Sequence, residues 1–261
     1  MMPRSHPSAV AAPPALMRLS RLAALDEVAV SAIDNAIAQA QPCRSRRELL
    51  SEGDPIAGPK LIVRGWAARV RMLADGRRQF LSFLLPGDLI GLCRQPRPVA
   101  VATVVALTDL SVAAAPPPTL SPRLEEAYAV SRALEEAYML AHITRLGRLT
   151  AQERIGDQML ELLERLELAG VAIDDGFEMP LTQEMLADAL GLTPVHVNRM
   201  LQLARREGDL HWRNGRLTLP DRASLADKVG RAPIQVSSLA PWQPEADVVE
   251  RSASRRHFAI F

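Results

Sequence analysis

The sequence predicts an α+β chain built from an N-terminal β-barrel or jelly roll, a long helix, and a C-terminal winged helix-turn-helix. Three observations predict it. Short β-branched runs alternate with Gly and Pro turns between Leu61 and Ala115. A long helical pattern follows the triple proline Pro116-Pro117-Pro118. Near the C-terminus two short helical patterns meet at Gly191 and are followed by an Asn214-Gly215 hairpin signal. The chain has 261 residues, a length that suits two domains better than one.

The N-terminal elements come first. Pro3, Pro7, Pro13 and Pro14 and the lack of an apolar core make residues 1–15 a disordered lead-in rather than a secretion signal. From Leu16 to Ile37 the apolar residues Leu16, Leu19, Leu22, Leu25, Val28 and Ile33 recur at helical steps, and Asp26 is placed to cap a second short helix. Residues 16–118 then form one domain. Its strands are Leu61 to Val63, Trp66 to Leu73, Gln79 to Leu85, Leu89 to Gly91, Val99 to Leu107 and Leu110 to Ala115. Asp75-Gly76 and Pro86-Gly87-Asp88 supply turns.

Ser121 and Pro122 give an N-cap and a first-turn proline for a helix running to about Leu146 and ended by Gly147, within a linker unit of residues 119–147. Leu124, Tyr128, Leu134, Tyr138, Ala141 and Arg145 fall mostly on one face. Ala127, Val130, Ala137 and Ala141 make a small-residue stripe beside it. The two faces are either a dimer seam (Leu124, Ala127, Val130, Leu134, Ala137, Tyr138, Ala141) or the packing of this helix on its own barrel.

Residues 148–230 form the second domain. It starts with an amphipathic helix from Thr150 to Leu168 and a strand from Phe177 to Leu181. Thr182 caps a helix ended by Gly191. Thr193 caps the next, which opens on Pro194 and runs to Glu207. Val197, Met200, Leu201 and Ala204 face inward, leaving Val195, His196, Asn198, Arg199 and Gln202 outward. In a helix-turn-helix those positions meet base edges in the major groove, where Arg forks onto guanine and Asn pairs with adenine. Arg213 and Arg216 flank the Asn214-Gly215 tip and are placed for phosphates.

Composition bounds the chemistry. The formal net charge of +1 gives no global basic field, so DNA binding must come from local charge. Cys43 and Cys93 are far apart and form no CxxC pair, which excludes a disulfide framework or a Cys-only zinc site and fits the cytoplasm. No apolar run reaches the roughly 18 residues of a membrane span. There is no nucleophile–base pair at credible spacing, no phosphate-cradling Gly loop and no HExxH motif, so no enzyme is expected.

The run from Leu181 to Arg199 (LTQEMLADALGLTPVHVNR), continued by Arg205-Arg206-Glu207-Gly208 and by Gly215-Arg216-Leu217, resembles the DNA-binding segment of the Crp/Fnr family. Glu153-Arg154-Ile155 resembles the start of that family's lead-in helix. Gln79 to Gly91 (QFLSFLLPGDLIG) resembles the central hairpin of its cyclic-nucleotide-binding-like sensor domain. The resemblance spans about residues 16 to 228 and implies a homodimer on a two-fold symmetric duplex operator, with RNA polymerase as a candidate further partner. Three departures stand out. Leu92-Cys93 and the stretch Pro98 to Thr103 replace the acidic residue and the Arg-Ser/Thr of cyclic-AMP binders, and an anionic cyclic phosphate needs a paired cation. The N-terminus lacks the cysteine cluster of iron–sulfur members. Val195 replaces the family's common recognition-helix Glu. No cofactor is expected: a haem-holding role for His142 competes with a place on the helix surface. The sensor domain as receptor for an unidentified effector is the alternative centre of function. Residues 231–261 exceed what the family needs, and are either a disordered extension, a phosphate-touching arm, or a segment docked through Trp242, Phe258, Ile260 and Phe261.

Overall fold

The computed structural model describes residues 12–93 and 95–236. The expectations for the first eleven residues, and for the tail with Trp242, Phe258, Ile260 and Phe261, lie outside the described residues. Two short helices come first among the described residues, α1 (Pro14–Leu22) and α2 (Glu27–Ala38). Asp26 caps α2 by accepting from the Ala29 N–H at 2.8 Å. The helix start at Pro14 places Ala15 in the core, inside the stretch expected as lead-in.

Eight strands follow: β1 (Gln41–Cys43), β2 (Glu48–Leu50), β3 (Lys60–Arg64), β4 (Ala67–Met72), β5 (Arg78–Leu84), β6 (Leu89–Ile90), β7 (Thr103–Ala106) and β8 (Leu110–Ala114). They form two four-stranded antiparallel sheets, ordered β1-β8-β3-β6 and β2-β7-β4-β5, which is a jelly roll of two sheets rather than a closed barrel. Ile62, Ile90, Leu110 and Val112 from the first sheet meet Ala67, Leu84, Val104 and Ala106 from the second in the roll's interior. The β4–β5 turn is a type I turn with a glycine bulge: Gly76 (φ +84°) donates to Leu73 and Leu73 donates to Arg77. The strand expected from Val99 shortens to β7, because Val99 and Ala100 pair instead with the Asp54–Pro55 turn.

Helix α3 (Pro122–Arg148) starts at Ser121, whose hydroxyl accepts from the Arg123 and Leu124 N–H groups. It runs through Gly147 rather than ending there. The break comes one residue after Arg148, because Leu149 is extended and leads into the capping box of Thr150 and Glu153 at the start of α4 (Ala151–Leu168). Leu124, Ala127 and Tyr128 of α3 are buried with α1, α2, Leu61 and Leu89. Leu134 and Tyr138 are also buried within the protomer. Of the residues considered for a seam, Val130, Ala137 and Ala141 keep partial exposure.

The last part comprises β9 (Gly176–Glu178), α5 (Gln183–Leu190), α6 (Pro194–Glu207), β10 (His211–Arg213), β11 (Arg216–Thr218) and α7 (Arg222–Val229). The strand expected from Phe177 to Leu181 ends at Glu178, two residues before Pro180, which has no N–H for a ladder. Helix α7, capped by Asp221 and ended by Gly230 at φ +67°, was not anticipated. Its Leu225 and Val229 pack where a side chain on Gly156 of α4 would approach to 3.0 Å. One apolar cluster joins Trp66, Phe80 and Phe83 of the roll to α4 and to Phe177 of β9, and Trp66 stacks on Phe177 at 6.3 Å between ring centroids.

Candidate nucleic-acid interface

The interface is built by local signals. Thr182 caps α5 through its hydroxyl, which accepts from the Met185 N–H at 3.2 Å. Leu186, Ala187, Ala189 and Leu190 turn inward. Gly191 closes α5 at φ +63°, a left-handed conformation that costs a residue with a Cβ about 1–2 kcal/mol. Thr193 caps α6, accepting from the His196 N–H at 3.2 Å, and Pro194 fills the first position, where no N–H is needed. Val197, Leu201 and Ala204 anchor α6 to the core, while Met200 is half-buried.

The opposite face of α6 is open. Val195 is 81% exposed, Arg199 and Gln202 are exposed, and His196 and Asn198 are half-buried. At the wing, Arg213 pairs with Arg216 across the two-residue tip Asn214-Gly215, both in left-handed conformation (φ +51° and +77°), as a type I′ turn requires. The two arginines differ. Arg213 is exposed, whereas Arg216 is half-buried and donates to the Ile173 carbonyl. A groove between α6 and the wing is lined by Thr182, Gln183, Asn198, Gln202, Arg205 and Arg213. Gln183 and Arg205 were not singled out from the sequence as site residues. For Gln183 the signal was its place at the first position of α5, beside the start of the next helix.

His142 sits half-buried on α3, with Nδ1 3.3 Å from the Arg145 Nη1. Among the described residues, its Nε2 has no hydrogen-bond partner. Burial, and then the Arg145 charge, lower its pKa. Among the described residues, no group of three His, Cys, Asp or Glu side chains is arranged to hold a metal ion. No described helix is long and apolar enough to cross a membrane.

A two-sheet roll joined through a long helix to a winged helix-turn-helix is the architecture of a DNA-binding transcription regulator. A family model described as a Crp-like helix-turn-helix domain matches residues 153–228, and one described as a cyclic nucleotide-binding domain matches residues 41–126. The nitrogen fixation regulation protein FixK of Bradyrhizobium diazoefficiens is 31% identical over 189 residues, covering 69% of this chain and 78% of that protein. The transcriptional activator protein FnrL of Cereibacter sphaeroides is 29% identical over 188 residues, covering 68% and 75%. The structure of FixK2 from Bradyrhizobium japonicum is similar with a TM-score of 0.61 and 27% identity, covering 72% of this chain and 96% of that one. The chain belongs to the Crp/Fnr family of transcription regulators.

Proposed function

We propose that this regulator reads a two-fold symmetric operator as a homodimer, with the outer face of α6 in the major groove and the wing on the backbone. The observation that carries this reading is the open face of α6. A helix whose caps and inner face are fully used leaves Val195, His196, Asn198, Arg199 and Gln202 turned outward beside an exposed wing arginine. Thr182, Thr193 and Pro194 serve by setting the two helix starts, and Arg213 is the better placed wing residue for a phosphate because Arg216 is tied to Ile173. A wing arginine on a phosphate steers and positions without naming a sequence.

For the dimer, α3 offers the surface. Val130, Ala137 and Ala141 keep partial exposure, and Met139, Leu140 and Ile143 are 46%, 59% and 64% exposed. Val130, Ala137 and Ala141 make one stripe of α3, and the exposed Met139, Leu140 and Ile143 make another beside it; apolar surface of this kind on a long helix is what two copies bury against each other. Leu124, Ala127, Leu134 and Tyr138 support the seam from behind, by holding α3 to the roll.

The roll acts without a cyclic nucleotide or an iron–sulfur cluster in this reading. Leu92-Cys93 stands in place of the acidic residue, Arg97 is exposed in a left-handed conformation, and Arg71 is turned to the Val101 carbonyl at 2.7 Å. Duplexes selected from a random pool by purified protein test the whole reading. An inverted repeat with half-sites about one helical turn apart is the expected product; a single unrepeated half-site would remove the dimer, and no enrichment would remove the sequence-reading role of the ligand-free form.

A further inference from the structure

The last turn of α5 is held by three side chains from other elements. Arg78, the first residue of β5, donates through Nε to the Asp188 carboxylate at 2.5 Å. Its neighbour Gln79 donates through Nε2 to the Ala189 carbonyl at 3.1 Å and to the Phe80 carbonyl at 3.0 Å. Arg154 of α4 donates through Nη1 to the Leu190 carbonyl at 3.0 Å and through Nε to the Leu149 carbonyl, where α3 gives way to α4, at 2.9 Å. A guanidinium only donates and a carbonyl only accepts, so the sense of each bond is fixed. The last carbonyls of a helix find no N–H further along it, and here the roll and α4 supply the donors. Gly191 follows at once and leads into α6, so what fixes this turn fixes the approach of α6.

The winged domain touches the roll at a second place. Arg165 bonds Asp88 at 2.8 Å, and Trp66 stacks on Phe177 at 6.3 Å. Arg165 stands about 16 Å along α4 from Arg154. A body held at one place can pivot there; a second hold at that distance removes most of the freedom. The roll is in turn fixed to α3, through the buried Leu124, Ala127 and Tyr128 and an ion pair of Arg69 with Glu135. Across a two-fold seam on α3, the angle of α5 to the roll therefore sets the separation of the two α6 helices. One base pair more between half-sites moves the second half-site about 3.4 Å along the duplex and about 35° around it. A held α6 cannot follow that turn, and a pivoting one can.

We propose that Arg78 is a positioning residue for operator binding: its ion pair with Asp188 holds the winged domain at one angle to the roll, so that the dimer accepts half-sites at one spacing. This rests on the readings of α3 as the seam and α6 as the base-reading helix. Arg78 belongs to the roll and Asp188 to α5, so neither stands on the open face of α6. Their side chains are 39% and 30% exposed, which leaves the fold tolerant of substitution at both. Arg78→Asp sets two carboxylates against each other, and Asp188→Arg sets two guanidinium groups against each other. Arg78→Asp combined with Asp188→Arg restores an opposite pair.

The test uses full-length wild type, the two single variants and the double variant, each checked for an unchanged thermal melt. The probes are duplexes that carry the half-site selected by wild type twice, in inverted order, with spacers of graded length. Wild type is expected to prefer one spacing. Each single variant is expected to lose about tenfold in that preference while keeping the same half-site sequence, since a partly exposed pair contributes a few-fold per protomer and two protomers share the operator. The double variant is expected to recover it. A purely structural role would weaken binding at every spacing alike, and that result overturns the proposal. So does a wild type indifferent to spacing, a single variant that keeps the preference, or a double variant as indifferent as the single ones. Selection by wild type of a lone half-site, or of no sequence, would overturn it together with the dimeric reading on which it rests.

Discussion

Arg165 of α4 donates to the Asp88 carboxylate in the Pro86–Asp88 turn at 2.8 Å, with the two side chains only 7% and 10% exposed. The pair is one link in a longer series. Arg18 of α1 holds the other Asp88 oxygen, at 2.9 Å. Arg165 also meets Glu161, which bonds Arg145 of α3, which bonds Asp157, which bonds Arg231 beyond α7. Arginines and carboxylates alternate from the first helix, through the roll, to the far end of the winged domain. Charges this deep are tolerated only where each has a partner, so the relative placement of the two domains is tied to the integrity of the series.

Breaking that link is expected to be expensive. Asp88→Asn leaves Arg18 and Arg165 short of a countercharge in a buried site, and a loss of about 3–5 kcal/mol in urea unfolding is expected. The same carboxylate predicts an acid response. Burial opposes its ionisation, but Arg18 and then Arg165 outweigh this and hold its pKa below the ordinary aspartate value. A carboxylate with a lowered folded pKa contributes stability that is complete above its unfolded value, about 3.9, and is lost as pH falls through the folded one. The wild-type acid slope should therefore flatten in Asp88→Asn; an unchanged slope would show that other carboxylates dominate it.

His142 predicts a second, milder pH effect. Burial and Arg145 lower its pKa, against the opposing pull of Glu161 and Asp157. A histidine with a lowered folded pKa favours the neutral form. Its contribution is therefore full above the unfolded value of about 6.5 and declines as pH falls through and below it. Thermal melts between neutral pH and about pH 5.5 should show the wild type losing stability faster than His142→Gln. Equal slopes would mean that the imidazole is hydrated in solution.

Much of this was legible in the sequence, for physical reasons. Thr182, Gly191, Thr193, Pro194 and Asn214-Gly215 act locally, through caps and left-handed turns, and each is found in its expected conformation. What a pattern could not convey was long-range pairing. Arg145 reads as a polar interruption on an apolar face, yet it is 1% exposed because three partners from α4 reach it. Leu124 and Ala127 read as seam residues with own-chain packing as the alternative, since a helix stripe does not name what covers it, and the structure buries both against α1 and α2. The pairing of Gln183 with Asn198 spans 15 positions and leaves no mark in either helix's periodicity.

The proposed dimer is tested at the outer face of α3. Leu140→Asp puts a charge on a side chain that is 59% exposed in the protomer, so folding of the single chain should be nearly untouched. Across a two-fold seam the same charge would face its own copy without a partner. Sedimentation should show dimer for wild type and monomer for the variant, with operator affinity falling alongside. A variant that sediments as wild type would place the interface elsewhere.

The base-reading and backbone-holding roles separate in the last comparison. Arg199 stands on the open face of α6 and Arg213 at the wing tip, both exposed. Arg199→Ala is expected to cost about 1–3 kcal/mol on the preferred operator and to blur selection at one position. Arg213→Ala should weaken binding to all duplexes by a similar factor and lower the slope of log affinity against log salt by about one. Titrations of both variants against operator and random duplex, at several salt concentrations, distinguish the two patterns. If Arg199→Ala lowered the salt slope without changing base preference, Arg199 would be a phosphate contact, and base reading would fall to the remaining outward residues of α6.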